Sequence, residues 1–529
     1  MAHIDQIINS DAVDNAFIIT GMYFESGSIR FPVLTVSVNA SIFDTKVGGS
    51  GCSITVLPIQ VAKKENIKGG VKELDTEKAS KTFEQVKIDT EGSVILTNTG
   101  KSGVKSSVVL YRGRIVDTQI NFNTSQTSFS KRFSITIGHP AATIAAHHVE
   151  SPFLWGISGD RARTLDSYRK YLTINKTDST KYESQQGFDL VKYIVDTLEG
   201  SAKKVGDTGG VTVSSLLDIS TAPMINSKLK AQDTTGKGGG RVVTDLRTTI
   251  YDQLVTSSLS NSEWTSLVNM LDQFELLVVP NMRFGKNDKY SDVIVNMAMG
   301  ADVTLTLKPN QILSYTKYAA NRAKNRRRAI AVHTGIVGKG TGVDSPAFST
   351  VIQGYVDGKP TLFTGTVEMV SSNDPANQVL TIVDSKGTSR KIPGMPFTKI
   401  DLPSWVKTAC APLSDKEAVN FKKRVADMFA KSFYCSGLVK MGSLSMSIPL
   451  PLMLDSVRTE LGKVLKAELD GGVTLYGQLS SIDYTIEADK DNFKVSASLQ
   501  LSTVRNSDEQ RAWSISSEDS DLLFTPRNK

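Results

Sequence analysis

Cysteine and histidine are scarce, with three of the first and five of the second in 529 residues. Cys52, Cys410 and Cys435 are odd in number and far apart. That spacing excludes a disulfide framework and any CxxC pair for zinc or redox work, and predicts three reduced, mostly buried thiols. His147 and His148 are adjacent, His139 lies eight residues earlier and His333 is isolated. No HExxH occurs and no pair has helical metal spacing, so no metal ligand is nominated. Long apolar runs are missing too, since none reaches the roughly 18 residues of a membrane helix. The opening MAHIDQIINSDAVDNAF has neither the basic nor the apolar part of an export signal. Neither sign of charge dominates: 61 Lys plus Arg face 54 Asp plus Glu, a net +7. That excludes a histone-like polybasic chain. What remains is an ordinary globular balance, 40% hydrophobic and 22% charged, predicting a soluble, cytosolic, multidomain product.

The first 149 residues read as β. In segment 30–44, Leu34, Val36, Val38, Ala40 and Ile42 alternate with the mostly polar Val33, Thr35, Ser37, Asn39 and Ser41, the pattern of a half-buried strand. Segments 52–60, 105–122 and 128–138 are further strand candidates. Residues 150–335 are richer in helix. Phe188, Val191, Ile194, Val195 and Leu198 share a helical face, and Ser260 with Glu263 forms a capping-box pair. Residues 336–410 form a small β segment. Ser414 and Glu417 open an amphipathic helix, and Val457, Leu461, Val464, Leu465 and Leu469 predict another over about 455–469. Strands follow over 473–487 and 493–504. Residues 411–509 thus make a second β domain, and 510–529 read as a poorly ordered polar tail.

Motifs for chemistry fail one by one. Gly100-Lys101-Ser102 ends like a phosphate-binding loop, but Ile95 stands where the motif needs glycine. The glycines at 236, 238, 239 and 240 and at 338, 340 and 342 lack a strand-turn-helix setting. No GxSxG elbow occurs, and no pair of carboxylates can be nominated as acid and base. The expectation is no catalytic residue, no cofactor and no metal. The densest charge cluster is Arg322, Lys324, Arg326, Arg327 and Arg328, either a solvated surface or a contact for phosphates or an acidic partner. Tyr315 and Tyr318, just before it, are expected to anchor that segment to the core.

One pattern repeats. YRGRIVDTQINFNTSQTSFSKRFSITIG (111–138) and YGQLSSIDYTIEADKDNFKVSASLQLS (476–502) each carry a Tyr close before a Gly, a strand, a polar turn and a second strand. Gly113 and Gly477 anchor the match, 364 residues apart, as candidate strand-start glycines that permit close backbone approach or a bulge. A trimer of a chain duplicated in this way presents six similar domains.

These segments, with LLVVPNMRF (276–284) and KPNQILSYTKYAANRA (308–323), resemble the central baseplate hub of contractile-tailed bacteriophages and related injection systems. The resemblance implies an α+β, mainly β fold with two tail-tube-like antiparallel barrel or sandwich domains, a large α-rich insert and a small β segment. It implies a structural homotrimer in the virion tail baseplate, assembled in the host cytoplasm. That ring adapts the sixfold tail tube or its initiator to the threefold central spike, and lines a channel for DNA or the tape-measure protein. It has no membrane-spanning segment. The competing readings are another tail component, such as a tube initiator or tail-tip protein, and a cell-wall or polysaccharide hydrolase.

Overall fold

The computed structural model describes residues 18–43, 49–57, 83–99, 105–125, 128–146, 183–184, 187–202, 211–226, 229, 246, 249–250, 253–254, 262–285, 287–296, 303–319, 329–337, 346–356, 359–369, 378–383, 389–393, 397–410, 413–438, 442–489, 492–506, 522–525 and 527. The chain is mainly β, built on one large sheet that is almost wholly antiparallel.

Six strands come first: β1 (Ile18–Ser26), β2 (Ile29–Ser41), β3 (Ser50–Val56), β4 (Glu91–Thr99), β5 (Lys105–Ser125) and β6 (Ser128–Gly138). Their pairing runs β1-β4-β5-β6-β3-β2 and returns from β2 to β1, closing a barrel. Alternation explains the interior. Phe31, Val33, Val36, Val38 and Ala40 of β2 are buried, while Ser37 and Asn39 face out. Val33 thus joins the buried set, contrary to unbroken alternation. The cause is a bulge at Leu34, between the Val33↔Val56 and Thr35↔Thr55 pairs, which shifts the side-chain phase by one.

The α-rich middle follows. It contains α1 (Ala141–Ala146), β7 (Glu183–Ser184), β8 (Gly187–Phe188), α2 (Leu190–Ala202), α3 (Val213–Leu216), β9 (Leu217–Asp218), β10 (Met224–Asn226), α4 (Glu263–Asp272), β11 (Leu276–Pro280) and β12 (Ser291–Val295). The buried face of α2 is the predicted one, with Val191, Ile194, Val195 and Leu198 inside. The N-cap of α4 is Ser262, whose hydroxyl accepts from the Thr265 N–H, two residues beyond the expected Ser260, which lies outside the described residues.

Next come β13 (Leu305–Leu307) and β14 (Ser314–Ala319), then a six-stranded sheet of β15 (Ala329–Val337), β16 (Pro346–Val356), β17 (Lys359–Met369), β18 (Gln378–Val383), β19 (Ser389–Pro393) and β20 (Phe397–Asp401). Two helices follow, α5 (Ser404–Ala409) and α6 (Asp415–Leu438). Ser414 donates from its N–H and its hydroxyl to the Glu417 carboxylate, at 3.1 and 2.7 Å, at the start of α6. The chain ends with β21 (Gly442–Ser447), α7 (Leu450–Asp455), β22 (Val464–Leu469), β23 (Val473–Asp489), β24 (Asn492–Arg505) and β25 (Phe524–Thr525).

Two expectations are corrected. The helix over 455–469 is absent: α7 ends at Asp455, a 3₁₀ turn covers Val457–Glu460, and Val464–Leu469 is strand β22. Gly462, at φ +85°, takes the left-handed conformation that ends the helical turn. The residues at 510–529 are not all a loose polar tail. Phe524 pairs with Ile225, and Arg527 donates to the Asp189 carboxylate at 2.8 Å.

Two hydrophobic cores result. One runs without a break from the β1–β6 barrel into β21–β24, joining Val38, Ile137 and Leu96 to Leu444, Leu479 and Ile486. The other gathers α2, α4, α5 and α6 around Trp264, Phe274 and Trp405, with the last two rings stacked at 4.6 Å.

Candidate functional site

The pairing of hairpin β5–β6 is repeated residue for residue in hairpin β23–β24. Ser125↔Ser128 closes the first and Asp489↔Asn492 the second. Ile115↔Ile137, a bulge, then Asp117↔Thr136 corresponds to Leu479↔Leu501, a bulge, then Ser481↔Gln500. Every one of these positions differs by the same 364 residues that separate Gly113 and Gly477. The outer strands follow suit. Gly113 pairs with Gly92 of β4, and Gly477 with Leu465 of β22. Ile137 pairs with Cys52 of β3, and Leu501 with Leu444 of β21. Cys52 pairs with Val38 of β2, and Leu444 with Lys317 of β14. The two units therefore share strand order and chain order, with β14, β21, β22, β23 and β24 in the places of β2, β3, β4, β5 and β6. Strand β13 occupies the place of β1, but it pairs in parallel and leaves the second unit open.

Gly113 and Gly477 both lie inside their strands, at the same point of the repeat. A Cβ on Gly113 would overlap the Gly138 carbonyl oxygen, and one on Gly477 would sit 2.9 Å from Leu501 Cβ and 3.0 Å from the Ser502 oxygen. Gly138 and Ser502 are themselves equivalent. Each glycine lets its own hairpin close tightly, so the close approach is within the unit.

The units meet along β2 and β23. Residues 35–41 pair antiparallel with 487–481, centred on Val38↔Tyr484, and Thr485 donates its hydroxyl to that of Ser37 at 3.2 Å. Beneath this junction β5 bulges at Leu110, between the Val94↔Tyr111 and Ile95↔Val109 pairs. The second unit satisfies the distorted backbone: Tyr484 Oη donates to the Leu110 carbonyl, and Arg458 Nη1 to that of Val109 at 2.9 Å. Burial pushes the Tyr484 phenol up, so it stays a protonated donor.

Among the strand edges left open in the described residues, two belong to the equivalents of the junction strands β2 and β23. Strand β14 pairs with β21 on one side only. Strand β5 pairs with β4 up to Arg114, and beyond that point only with β6. Tyr315 and Tyr318 are 44% and 70% exposed, so they do not anchor their segment to the core as expected. Ile120 on β5 is 44% exposed. The β14 edge was not nominated from the sequence, although paired tyrosines in an otherwise polar strand were a visible signal. Arg322, Lys324, Arg326, Arg327 and Arg328 lie outside the described residues.

A buried polar cluster ties the first barrel to the middle. His139 Nδ1 accepts from the Ala141 N–H at 3.0 Å, and Nε2 lies 2.9 Å from both the Tyr290 carbonyl and the Ser291 hydroxyl. Nδ1 is thus unprotonated, and Nε2 carries the hydrogen. Burial lowers the His139 pKa to about 4, which suits a structural imidazole. Among the described residues no three His, Cys, Asp or Glu side chains gather to hold a metal ion, and no helix is long and apolar enough to cross a membrane.

No family profile matches the chain, and no curated protein matches it. Among solved structures, the tail protein from Neisseria meningitidis MC58 gives a TM-score of 0.42 at 8% identity, over 93% of this chain and 98% of its own. The 43 kDa tail protein of prophage MuSo2 from Shewanella oneidensis gives 0.38 at 9% identity, over 92% and 99%.

Proposed function

We propose that this chain is the structural hub of a bacteriophage tail baseplate. Three copies form a ring of six similar β units around a channel for DNA or the tape-measure protein. The ring adapts the sixfold tail tube to the threefold central spike, and is assembled in the host cytoplasm. The observation that carries this reading is the repeated register at offset 364. Two units of one strand order, joined edge to edge, let a threefold assembly present near-sixfold symmetry. The chain acts as a rigid adaptor in this reading, with no chemistry of its own.

Electron microscopy and light scattering of the purified chain test it. The expected result is a ring of three chains with six lobes. A ring without threefold symmetry overturns the hub reading. Copy number in assembled particles separates the readings further: three per particle fits a hub, and a count in the tens points to another tail component.

A further inference from the structure

We infer that the open edge of β14 pairs with the open edge of β5 in a second copy of this chain, in the register set by the internal junction. The inference rests on the ring reading for its partner and supplies what that reading lacks, the strands and the residue pairs.

The derivation is positional. Inside one chain the units are joined by β2 and β23. Strand β14 is the equivalent of β2, and β5 the equivalent of β23. The edge that β2 offers to β23 is open on β14, and the edge that β23 offers to β2 is open on β5. One chain thus carries both halves of a second junction and cannot join them internally, because they sit at opposite ends of the paired units. A head-to-tail contact of this kind propagates from copy to copy and closes into a ring where the rotation allows.

The equivalences fix the register. Val38↔Tyr484 becomes Lys317↔Ile120 of the second copy, and Val36↔Ile486 becomes Tyr315↔Phe122. Ser37↔Thr485 becomes Thr316↔Asn121, and Asn39↔Asp483 becomes Tyr318↔Gln119.

Surface chemistry agrees with this. Eight large hydrophobic side chains are exposed among the described residues. Five of them, Val116, Ile120, Leu313, Tyr315 and Tyr318, lie on or beside these two edges, which concentrates exposed apolar side chains there. An unprotected strand edge invites pairing, and the open part of β5, residues 117–125, is long enough to accept all of β14.

Cysteine cross-linking tests the register. Thr316 and Asn121 are both exposed, so Thr316→Cys and Asn121→Cys leave the fold intact. Ser37→Cys with Thr485→Cys is the positive control, because those side chains already meet within one chain. Under mild oxidation the Thr316→Cys/Asn121→Cys double variant is expected to run as covalent multimers on a denaturing, non-reducing gel. Each single variant, and the register-shifted pair Thr316→Cys/Ile120→Cys, is expected to run as monomer. A double variant that assembles by light scattering yet stays unlinked overturns the pairing and leaves the ring reading standing. Linked multimers that close at a number other than three uphold the pairing and overturn the trimer. A chain that stays monomeric and unlinked at every concentration overturns both.

Discussion

The hydroxyl of Tyr484 donates to the carbonyl of Leu110, 374 residues earlier in the chain, where β5 bulges out of register with β4. The first unit's backbone is therefore completed by a side chain of the second. Tyr484→Phe keeps the buried ring and removes the donor. An unsatisfied buried carbonyl costs about 1–3 kcal/mol. Urea unfolding should show an unchanged slope and a lower midpoint, the product of the slope and the midpoint shift equalling that loss. A midpoint within error of the parent would mean that the bond contributes nothing.

The equivalent glycines should respond unequally. Gly113→Ala places a Cβ onto the Gly138 carbonyl, which is backbone and moves only with its strand. Gly477→Ala meets Leu501 Cβ at 2.9 Å and the Ser502 backbone oxygen at 3.0 Å, a milder overlap that β24 relieves by a shift of a few tenths of an ångström. Overpacking of this kind costs about 1–3 kcal/mol, and Gly113→Ala belongs at or above the top of that range. Thermal unfolding monitored by circular dichroism checks the order. Equal losses at the two sites would show that β6 takes up the larger overlap as easily as β24 takes up the smaller.

His139 and Glu263 give opposite pH dependences. The folded His139 has a pKa of about 4 against 6.5 unfolded, so its contribution is complete above pH 6.5 and is lost as pH falls toward 4. Burial, with the Glu199 charge adding to it, raises Glu263 from 4.5 to about 7, so its contribution is complete below 4.5 and is lost as pH rises toward 7. Each swing is on the order of 3 kcal/mol, and the two nearly cancel between pH 4.5 and 6.5. Glu263→Gln should expose the His139 slope, with stability falling toward acid. His139→Gln should expose the reverse. Unfolding free energies across that window decide it, and parallel slopes in the two variants would refute the assignment.

Much of this architecture is legible in the sequence, and the misses have causes. The repeat was visible because Gly113 and Gly477 are both required by the same tight hairpin. The α2 face was visible because its apolar spacing is purely helical. The stretch 455–469 misled because Val457, Leu461 and Val464 satisfy a helical spacing while Gly462 cuts it in two. Strand β14 is not legible as a strand because it shows no apolar alternation. Ser314, Tyr315, Thr316, Lys317 and Tyr318 are all exposed, and a strand reads as half-buried only when its own chain covers one face. The bulge at Leu34 is not legible because it is set by the pairing of β2 with β3, which the sequence of one strand does not show.

Cys52 should report global opening. It sits at 2% exposure on β3, inside the barrel, and burial pushes its thiol well up. A protonated, enclosed thiol is inert. Its labelling by a maleimide, followed by mass spectrometry of the Cys52 peptide, should track unfolding by urea and stay undetectable before the transition. Labelling in native buffer at the rate of a free thiol would show that the barrel opens locally.

The six-stranded sheet β15–β20 should be removable. Strand β14 ends at Ala319 and β21 begins at Gly442, and those two residues pair directly, so everything between them leaves and rejoins the second unit at one rung. In the first unit the equivalent link, β2 to β3, spans only residues 42–49. Helices α5 and α6 must stay, because Trp405, Phe421 and Val425 belong to the core of the middle region. Among the described residues the sheet's strands pair only with one another, β20 lying parallel to β15 through Ala329↔Phe397 and His333↔Asp401, and β15 and β16 pack against α6. Replacing residues 329–401 with a Gly/Ser linker of about ten residues spans the gap at roughly 5–6 Å × √n. The shortened chain should keep the native Cys52 protection and a single cooperative transition, with a lower midpoint because α6 loses the face that β15 and β16 cover. Loss of the cooperative transition would show that β15–β20 supports the second unit, in which case the sheet is part of the barrel's stability and not an appendage to it.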